Sequence, residues 1–168
     1  RHPNVPRVFD QFTIAGQGQY LVMDFIEGED LQAVLDRTGQ AIPESQAVKW
    51  ITQICDALTY LHSQNPPVIH RDIKPANIKV TPTGQAVLVD FGISKIFSVS
   101  RHTATGARAV TPGYSPPEQY VQSMTTDARS DVYALSATLY SLLTGAAPVE
   151  KVALDPVAAL AALKRGGK

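Results

Sequence analysis

The sequence predicts an α+β fold, and three observations carry that prediction. Short β-rich runs bounded by Gly, Pro and Asn occur within residues 8–26 and 68–89. Apolar side chains recur every three or four positions over residues 43–62, which indicates an amphipathic helix. A second helix, apolar on most of its faces, is predicted over residues 132–143. The chain has 168 residues, 44% of them apolar, which is enough for one domain with a sizeable core.

The first elements are a hairpin and a short helix. Apolar and polar side chains alternate loosely over residues 8–14, which indicates a strand. Residues 15–19 supply a flexible turn, and residues 20–26 form a second β-rich run. The acidic and glycine residues at 27–30 end that strand. Helical spacing then appears in a short segment, at Leu31, Val34 and Leu35.

The long helix is expected to begin at Pro43, which suits a first helical turn, and Asn65–Pro67 stops it after His62. Its predicted apolar positions are Val48, Ile51, Ile54, Leu58 and Leu61. Short strand-like runs follow at residues 68–69, 78–81 and 86–89, and a turn at residues 82–84 joins the last two.

The remaining chain combines a long irregular segment with further helices. Residues 94–118 have no helical or strand periodicity, and such a stretch inside a compact domain is usually functional. The second long helix is expected to be buried in the middle of the domain and to end at Gly145, and its apolar positions are Val132, Leu135, Leu139 and Leu142. A last helix is predicted over residues 156–164.

Composition excludes several function classes. Fifteen basic residues balance fifteen acidic ones, which argues against a nucleic-acid partner recruited by bulk charge. A single cysteine, Cys55, can form neither an internal disulfide nor a zinc site, so we expect the protein to work in a reducing compartment. We expect Cys55 itself to be a small side chain of the core. The longest apolar stretch has twelve residues, fewer than the roughly 20 that cross a bilayer.

Two short motifs carry chemistry. Residues 70–77 read His-Arg-Asp-Ile-Lys-Pro-Ala-Asn, and Asp90-Phe91-Gly92 follows an apolar strand thirteen residues after Asn77. Phosphoryl transfer requires oxygen ligands for Mg²⁺ near the nucleotide phosphates and a carboxylate that orients the attacking hydroxyl. The two motifs supply such side chains, and each motif follows a strand-like run.

These motifs resemble the catalytic and magnesium loops of eukaryotic-like (Hanks-type) bacterial serine/threonine protein kinases. The resemblance implies that Asp72 is the catalytic base, that Lys74 steadies the γ-phosphate of ATP, and that Asn77 and Asp90 bind Mg²⁺ or Mn²⁺. It gives His70 and Phe91 structural roles. It also implies a protein-kinase-like fold and protein substrates with Ser or Thr hydroxyls.

Two later segments extend the resemblance. Residues 111–118, Thr-Pro-Gly-Tyr-Ser-Pro-Pro-Glu, look like the substrate-docking loop and the Ala-Pro-Glu motif, with Pro116 in place of alanine. By resemblance, Thr111 bonds to the catalytic aspartate and lysine, and Glu118 is structural. Residues 130–133 look like the start of the central helix, whose aspartate, here Asp131, anchors the catalytic loop backbone.

Residues 21–28 look like the fifth strand and the hinge that contacts adenine. The resemblance makes Met23 the gatekeeper and assigns adenine to backbone groups of Asp24 and Ile26. Asp30 falls where a carboxylate contacts the ribose. Lys79 replaces an aliphatic residue under the adenine, so we expect its stem to cover the base while its ammonium reaches solvent.

Regulation is also implied. In kinases with an arginine before the catalytic aspartate, here Arg71, a phosphate on the long loop pairs with that arginine. We therefore expect autophosphorylation of Thr103, Thr105 or both, the alternative being that they are solvated loop residues. We expect a cytoplasmic location, or the cytoplasmic side of an anchored protein whose anchor lies outside this chain.

The resemblance assigns residues 1–168 to an incomplete, interior part of a kinase domain. Residues 1–26 would be a remnant of the smaller lobe with the hinge, and residues 27–168 most of the larger lobe. The family's Gly-rich loop and strand lysine are not in the sequence, so we expect the chain alone to be inactive and marginally stable. Glu118 would be left as an unpaired, partly buried charge.

Two other function classes stay open at this point. A pseudokinase would keep the fold as a binding or scaffold module. The presence of all four residues assigned to the chemistry argues against it: Asp72, Lys74, Asn77 and Asp90. A small-molecule phosphotransferase of the aminoglycoside or choline type would share the catalytic Asp and Asn but lack the segment at residues 111–118.

Overall fold

A computed structural model describes residues 1–90, 110–120 and 126–148. The strands are β1 Val8–Ile14, β2 Gly18–Met23, β3 Glu29–Asp30, β4 Ile78–Val80 and β5 Ala86–Leu88. The helices are α1 Leu31–Thr38, α2 Glu44–His62 and α3 Ala128–Thr144, with single 3₁₀ turns at Pro75–Asn77 and Pro117–Tyr120. This mixture of short strands and helices agrees with the α+β prediction.

The strands form two antiparallel sheets. β1 and β2 make the predicted hairpin, in which Phe12 lies opposite Tyr20 and the two rings stack with centroids 5.4 Å apart. β3, β4 and β5 form a three-stranded sheet in that order. The predictions were wrong about β3, which lies in the segment expected only to end a strand, and about residues 68–69, which are not in a strand. β3 pairs with β4, about fifty residues further along the chain, so no local pattern marks it.

Helix α2 crosses the middle of the core. One face packs against α3 and β5, and its buried residues are Ala47, Trp50, Ile51, Ile54, Ala57, Leu58 and Leu61. Two predictions for this helix were wrong, because Val48 is 47% exposed and Cys55 is also exposed. Each follows a buried residue by one position, and one position turns a helix by about 100° and carries the side chain off the buried face.

Helix α3 is less apolar on its inner side than predicted. Asp127 caps its first turn and Gly145, in the left-handed conformation, ends it as expected. Its buried residues include Ser130, Asp131, Thr138 and Ser141, whereas Val132 is 57% exposed. The inner face therefore carries both core side chains, such as Leu135 and Leu142, and polar side chains, several of which bond to the loops described below.

The N-terminal segment is fixed to the core by one buried amide. Asn4 is 6% exposed, and its Nδ2 donates to the Ala86 carbonyl at 2.7 Å and to Gln53 Oε1 at 3.1 Å. Its own carbonyl accepts from the Leu88 N–H at 2.9 Å. These bonds join the segment that precedes β1 to β5 and α2.

The linker between β2 and β3 runs directly over β4. Gly28 lies in this linker with φ +129°, and a Cβ atom there would collide with the Val80 carbonyl oxygen. Only glycine allows both this backbone conformation and this approach. The contact therefore sets the distance between the linker and β4.

We expect Gly28→Ala to lower the free energy of unfolding by about 3 kcal/mol, because it combines backbone strain with a clash against β4. Gly39→Ala is the matched control. Gly39 has φ +60°, and no heavy atom lies within 4 Å of the position that a Cβ would take there, so we expect it to cost only about 1 kcal/mol. Urea denaturation measures both, and equal losses would contradict the close approach of the linker to β4.

Candidate active site

The loop at residues 70–77 begins with a strained turn. Arg71 has φ +67°, a left-handed conformation that costs a non-glycine residue about 1–2 kcal/mol. Asp131, which is fully buried, accepts the His70 N–H on Oδ2 and the Arg71 N–H on Oδ1, each at 2.8 Å. The turn is therefore held by a carboxylate from the first turn of α3, the residue to which the resemblance gave this role.

Two histidines complete this anchor. His62, the last residue of α2, donates from Nε2 to Asp131 Oδ2 at 2.8 Å. The buried His70 ring accepts the Asp72 N–H on Nδ1 at 3.3 Å and donates from Nε2 to the Val89 carbonyl at 3.1 Å. One neutral tautomer of His70, with its proton on Nε2, satisfies both bonds. The ring thus connects the loop to the residue that precedes Asp90.

The predicted catalytic side chains meet at Asp72. The Thr111 hydroxyl donates to Asp72 Oδ1 at 3.0 Å, while Lys74 Nζ lies 3.2 Å from Oδ2. Lys74 also donates to Thr111 Oγ1 at 3.3 Å, which closes a triangle of contacts. The side chains of Asp72 and Lys74 are 20% and 26% exposed, so a hydroxyl can approach the carboxylate from solvent.

Asn77 and Asp90 provide hard oxygen donors on adjacent backbone segments. Asn77 Nδ2 donates to the Asp72 carbonyl at 2.7 Å and to Asp72 Oδ2 at 3.0 Å. The Asn77 carbonyl accepts the Val89 N–H at 2.9 Å, and the exposed Asp90 follows directly with φ +53°. Because its Nδ2 donates to Asp72, the Asn77 amide would bind a metal through its oxygen. An amide oxygen and a carboxylate suit Mg²⁺.

The segment at residues 110–120 packs against this loop through buried polar contacts. Ser115 Oγ accepts the Thr111 N–H at 2.9 Å, and Tyr114 shares a hydrogen bond of 3.0 Å with Ser141 on α3. Glu118, expected to be an unpaired charge, accepts a hydrogen bond from the Ser130 hydroxyl on its Oε1 at 2.7 Å. A hydroxyl at the start of α3 reaches this carboxylate because the 3₁₀ turn carrying it lies beside that helix.

Sequence reasoning missed two side chains that hold the loop. His62 was read only as the end of a helix, and Gln119 was not singled out, although its Nε2 donates to the Arg71 carbonyl at 3.1 Å. Their partners lie 69 and 48 positions away. Only the adjacency of Gln119 to the docking motif could have drawn attention to it.

The predicted adenine contacts are arranged differently from expectation. Lys79 Nζ donates to the Ile26 carbonyl at 3.0 Å and lies 5.5 Å from the Phe25 ring centroid. Lys79 is partly exposed, and the bond from its ammonium to the linker backbone is a contact that the sequence did not predict. β4 lies close under the linker, so a carbonyl and an aromatic face are both within reach of the cation.

Other predicted nucleotide contacts lie around the same linker. Met23 ends β2 opposite Val8, and the Asp24 N–H donates to the Arg7 carbonyl at 2.9 Å. Asp30 caps α1, since its Oδ1 accepts the Ala33 N–H at 2.9 Å. Asp30 therefore has a structural role besides the ribose contact implied by resemblance.

Three predicted residues, Phe91, Thr103 and Thr105, lie outside the described residues.

Cys55 lies on the exposed side of α2, away from the site. Partial burial, together with the negative charge of Asp56, raises the pKa of its thiol, which disfavours a nucleophilic thiolate. Within residues 1–90, 110–120 and 126–148, no helix has the length and apolar character needed to span a bilayer.

Comparison with known proteins identifies the family. The family described as "Protein kinase domain" matches residues 1–162. The chain belongs to this family. The serine/threonine-protein kinase PknB of Mycobacterium leprae is 38% identical over 151 residues, which cover 88% of this chain. The probable serine/threonine-protein kinase CE0033 of Corynebacterium efficiens is 40% identical over 154 residues, which cover 89% of it.

Solved structures agree with this assignment. The crystal structure of the Mycobacterium tuberculosis PknI kinase domain matches with a TM-score of 0.72 and 31% identity, covering 93% of this kinase domain and 56% of that chain. The kinase fold and the resemblance to bacterial Hanks-type kinases are thereby confirmed. The chain spans about a quarter of the length of the curated relatives, 24% of PknB and 23% of CE0033.

We expect Asp131→Ala to lower the free energy of unfolding by roughly 3–5 kcal/mol, because three donors lose their acceptor at a buried site. Amide hydrogen exchange at His70 and Arg71 should accelerate at the same time. Asp127→Ala, which removes an exposed cap on the same helix, should cost much less and leave both amides protected. Unchanged exchange at His70 and Arg71 in the Asp131 variant would contradict the anchoring role.

Proposed function

We propose that this kinase domain belongs to an enzyme that transfers the γ-phosphate of ATP to Ser or Thr hydroxyls of proteins. The observation that supports this most directly is the contact network of Asp72 with Lys74, Asn77 and Thr111. The printed names of its relatives, which are serine/threonine-protein kinases, favour the same activity.

In this proposal Asp72 orients the attacking hydroxyl and accepts its proton as the new oxygen–phosphorus bond forms. The bond between the γ-phosphorus and the bridging oxygen breaks, and ADP leaves with that oxygen. Lys74 Nζ, 3.2 Å from the carboxylate, offsets negative charge on the transferred group. Asn77 and Asp90 would hold the divalent ion, which neutralises phosphate charge when bound.

Thr111 links this chemistry to the protein substrate. Its hydroxyl contacts both Asp72 and Lys74, and Ser115 fixes its backbone. A substrate segment lying along residues 111–118 would therefore present its hydroxyl beside the base. We place this reaction in the cytoplasm or on the cytoplasmic side of a membrane, where ATP is present. Autophosphorylation at Thr103 or Thr105 stays part of the proposal.

We expect Asp72→Asn in the full-length protein to lower phosphate transfer by about 100-fold or more, because the amide cannot accept the proton. ATP affinity should change little. Asp36→Asn, at an exposed carboxylate on α1, is the matched control and should keep wild-type transfer to a generic substrate protein. Full transfer by the Asp72 variant would contradict the assigned base, whereas ATP binding without any wild-type transfer would favour a scaffold.

We expect Lys79→Met to tighten adenosine binding about threefold to tenfold in the full-length protein. Its stem can still cover a base, and no partly desolvated ammonium then remains beside the Ile26 carbonyl. Lys49→Met, at an exposed position on α2, is the control and should leave affinity unchanged. Calorimetry with adenosine makes the measurement without phosphate charge. Weaker binding by the Lys79 variant would contradict this placement of Lys79.

A further inference from the structure

Gln119 is a buried amide with an unusual bonding pattern. It lies in the 3₁₀ turn Pro117–Tyr120 and is 5% exposed. Its Nε2 donates to the Arg71 carbonyl at 3.1 Å, whereas its Oε1 has no hydrogen-bond partner within the described part of the chain. An unsatisfied buried acceptor is costly, so this amide is poorly explained as packing alone.

The carbonyl that Gln119 contacts belongs to the peptide joining Arg71 to Asp72. On the N-terminal side of this peptide, Asp131 fixes the Arg71 N–H; on its C-terminal side, His70 Nδ1 accepts the Asp72 N–H. Arg71 has φ +67°, so the turn needs such restraints to persist. Gln119 supplies the restraint on the carbonyl, and it does so from a different segment.

We propose that Gln119 is a positioning residue that fixes the Arg71–Asp72 peptide and thereby the direction of the Asp72 carboxylate. The segment at residues 110–120 would then hold Asp72 twice, by Thr111 on the carboxylate and by Gln119 on the backbone. Correct seating of the segment becomes a condition for a correctly aimed base. This inference rests on the proposed function, since the aim of Asp72 matters for transfer.

The test uses Gln119→Met, which keeps the length without the donor, and Gln119→Asn, which keeps the amide but is one methylene too short to reach. In the full-length protein we expect both to lower kcat about 10-fold to 100-fold, since misplacing a catalytic group by about 1 Å has that effect. The KM for ATP should stay within about twofold, because the hydrogen bond of the Gln119 side chain goes to Arg71 and not to a residue assigned to metal or nucleotide.

Gln53→Met is the matched control. Gln53 Oε1 accepts the Ala86 N–H at 2.9 Å and the Asn4 amide at 3.1 Å, so these bonds join β5 to the N-terminal segment and not to the loop that carries Asp72. Its loss should lower the melting temperature and leave kcat unchanged. If the Gln119 variants lowered kcat only in proportion to a melting shift like that of Gln53→Met, or kept wild-type kcat, the positioning role would be overturned.

Amide hydrogen exchange at Asp72 gives a readout that needs no turnover. We expect exchange to accelerate at least tenfold in both Gln119 variants and to stay unchanged in Gln53→Met. Protection of that amide in all variants would overturn the inference. If the wild-type protein transferred no phosphate while exchange changed as expected, the proposed function would fail and the structural restraint would stand.

Discussion

The arrangement of the site depends on one buried carboxylate. Asp131 is fully buried, and it accepts hydrogen bonds from His62, from the His70 N–H and from the Arg71 N–H. A buried charge is tolerated only when it is fully hydrogen-bonded, and its place in the first turn of α3 adds the favourable end of the helix dipole. Because its donors come from α2 and from the loop, this carboxylate fixes three segments relative to one another.

The Asp131 anchor holds the strained turn at Arg71 in place. A left-handed residue reverses the chain sharply and brings Asp72 out toward solvent while His70 stays buried. The same loop bonds to both backbone groups of Val89. The His70 ring donates to its carbonyl, and the Asn77 carbonyl accepts its N–H. The proposed base, Asp72, and the proposed metal ligand, Asp90, therefore stand on connected backbone, although eighteen positions separate them.

Sequence reasoning succeeded where the signal was local or carried by a motif. The bounds of α2 followed from Pro43, an apolar period and a Pro-rich stop, all within one segment. It failed where a distant partner decides the outcome. β3 exists only because β4 lies beside it, and the Lys79 ammonium bonds to the Ile26 carbonyl, 53 positions away. The placement of Asp72 near Thr111 came from resemblance, since no periodicity could bring residues 39 positions apart together.

Side-chain amides and ammonium groups donate to loop carbonyls in this domain, because irregular segments do not pair their own backbone groups. A helix or sheet pairs its own backbone carbonyls, but a loop must find donors elsewhere. In this domain long side chains supply them, as Lys79 does for Ile26 and Gln119 for Arg71. Each such bond joins two segments that have no ladder in common. Substituting one of these donors should therefore change loop geometry more than core stability.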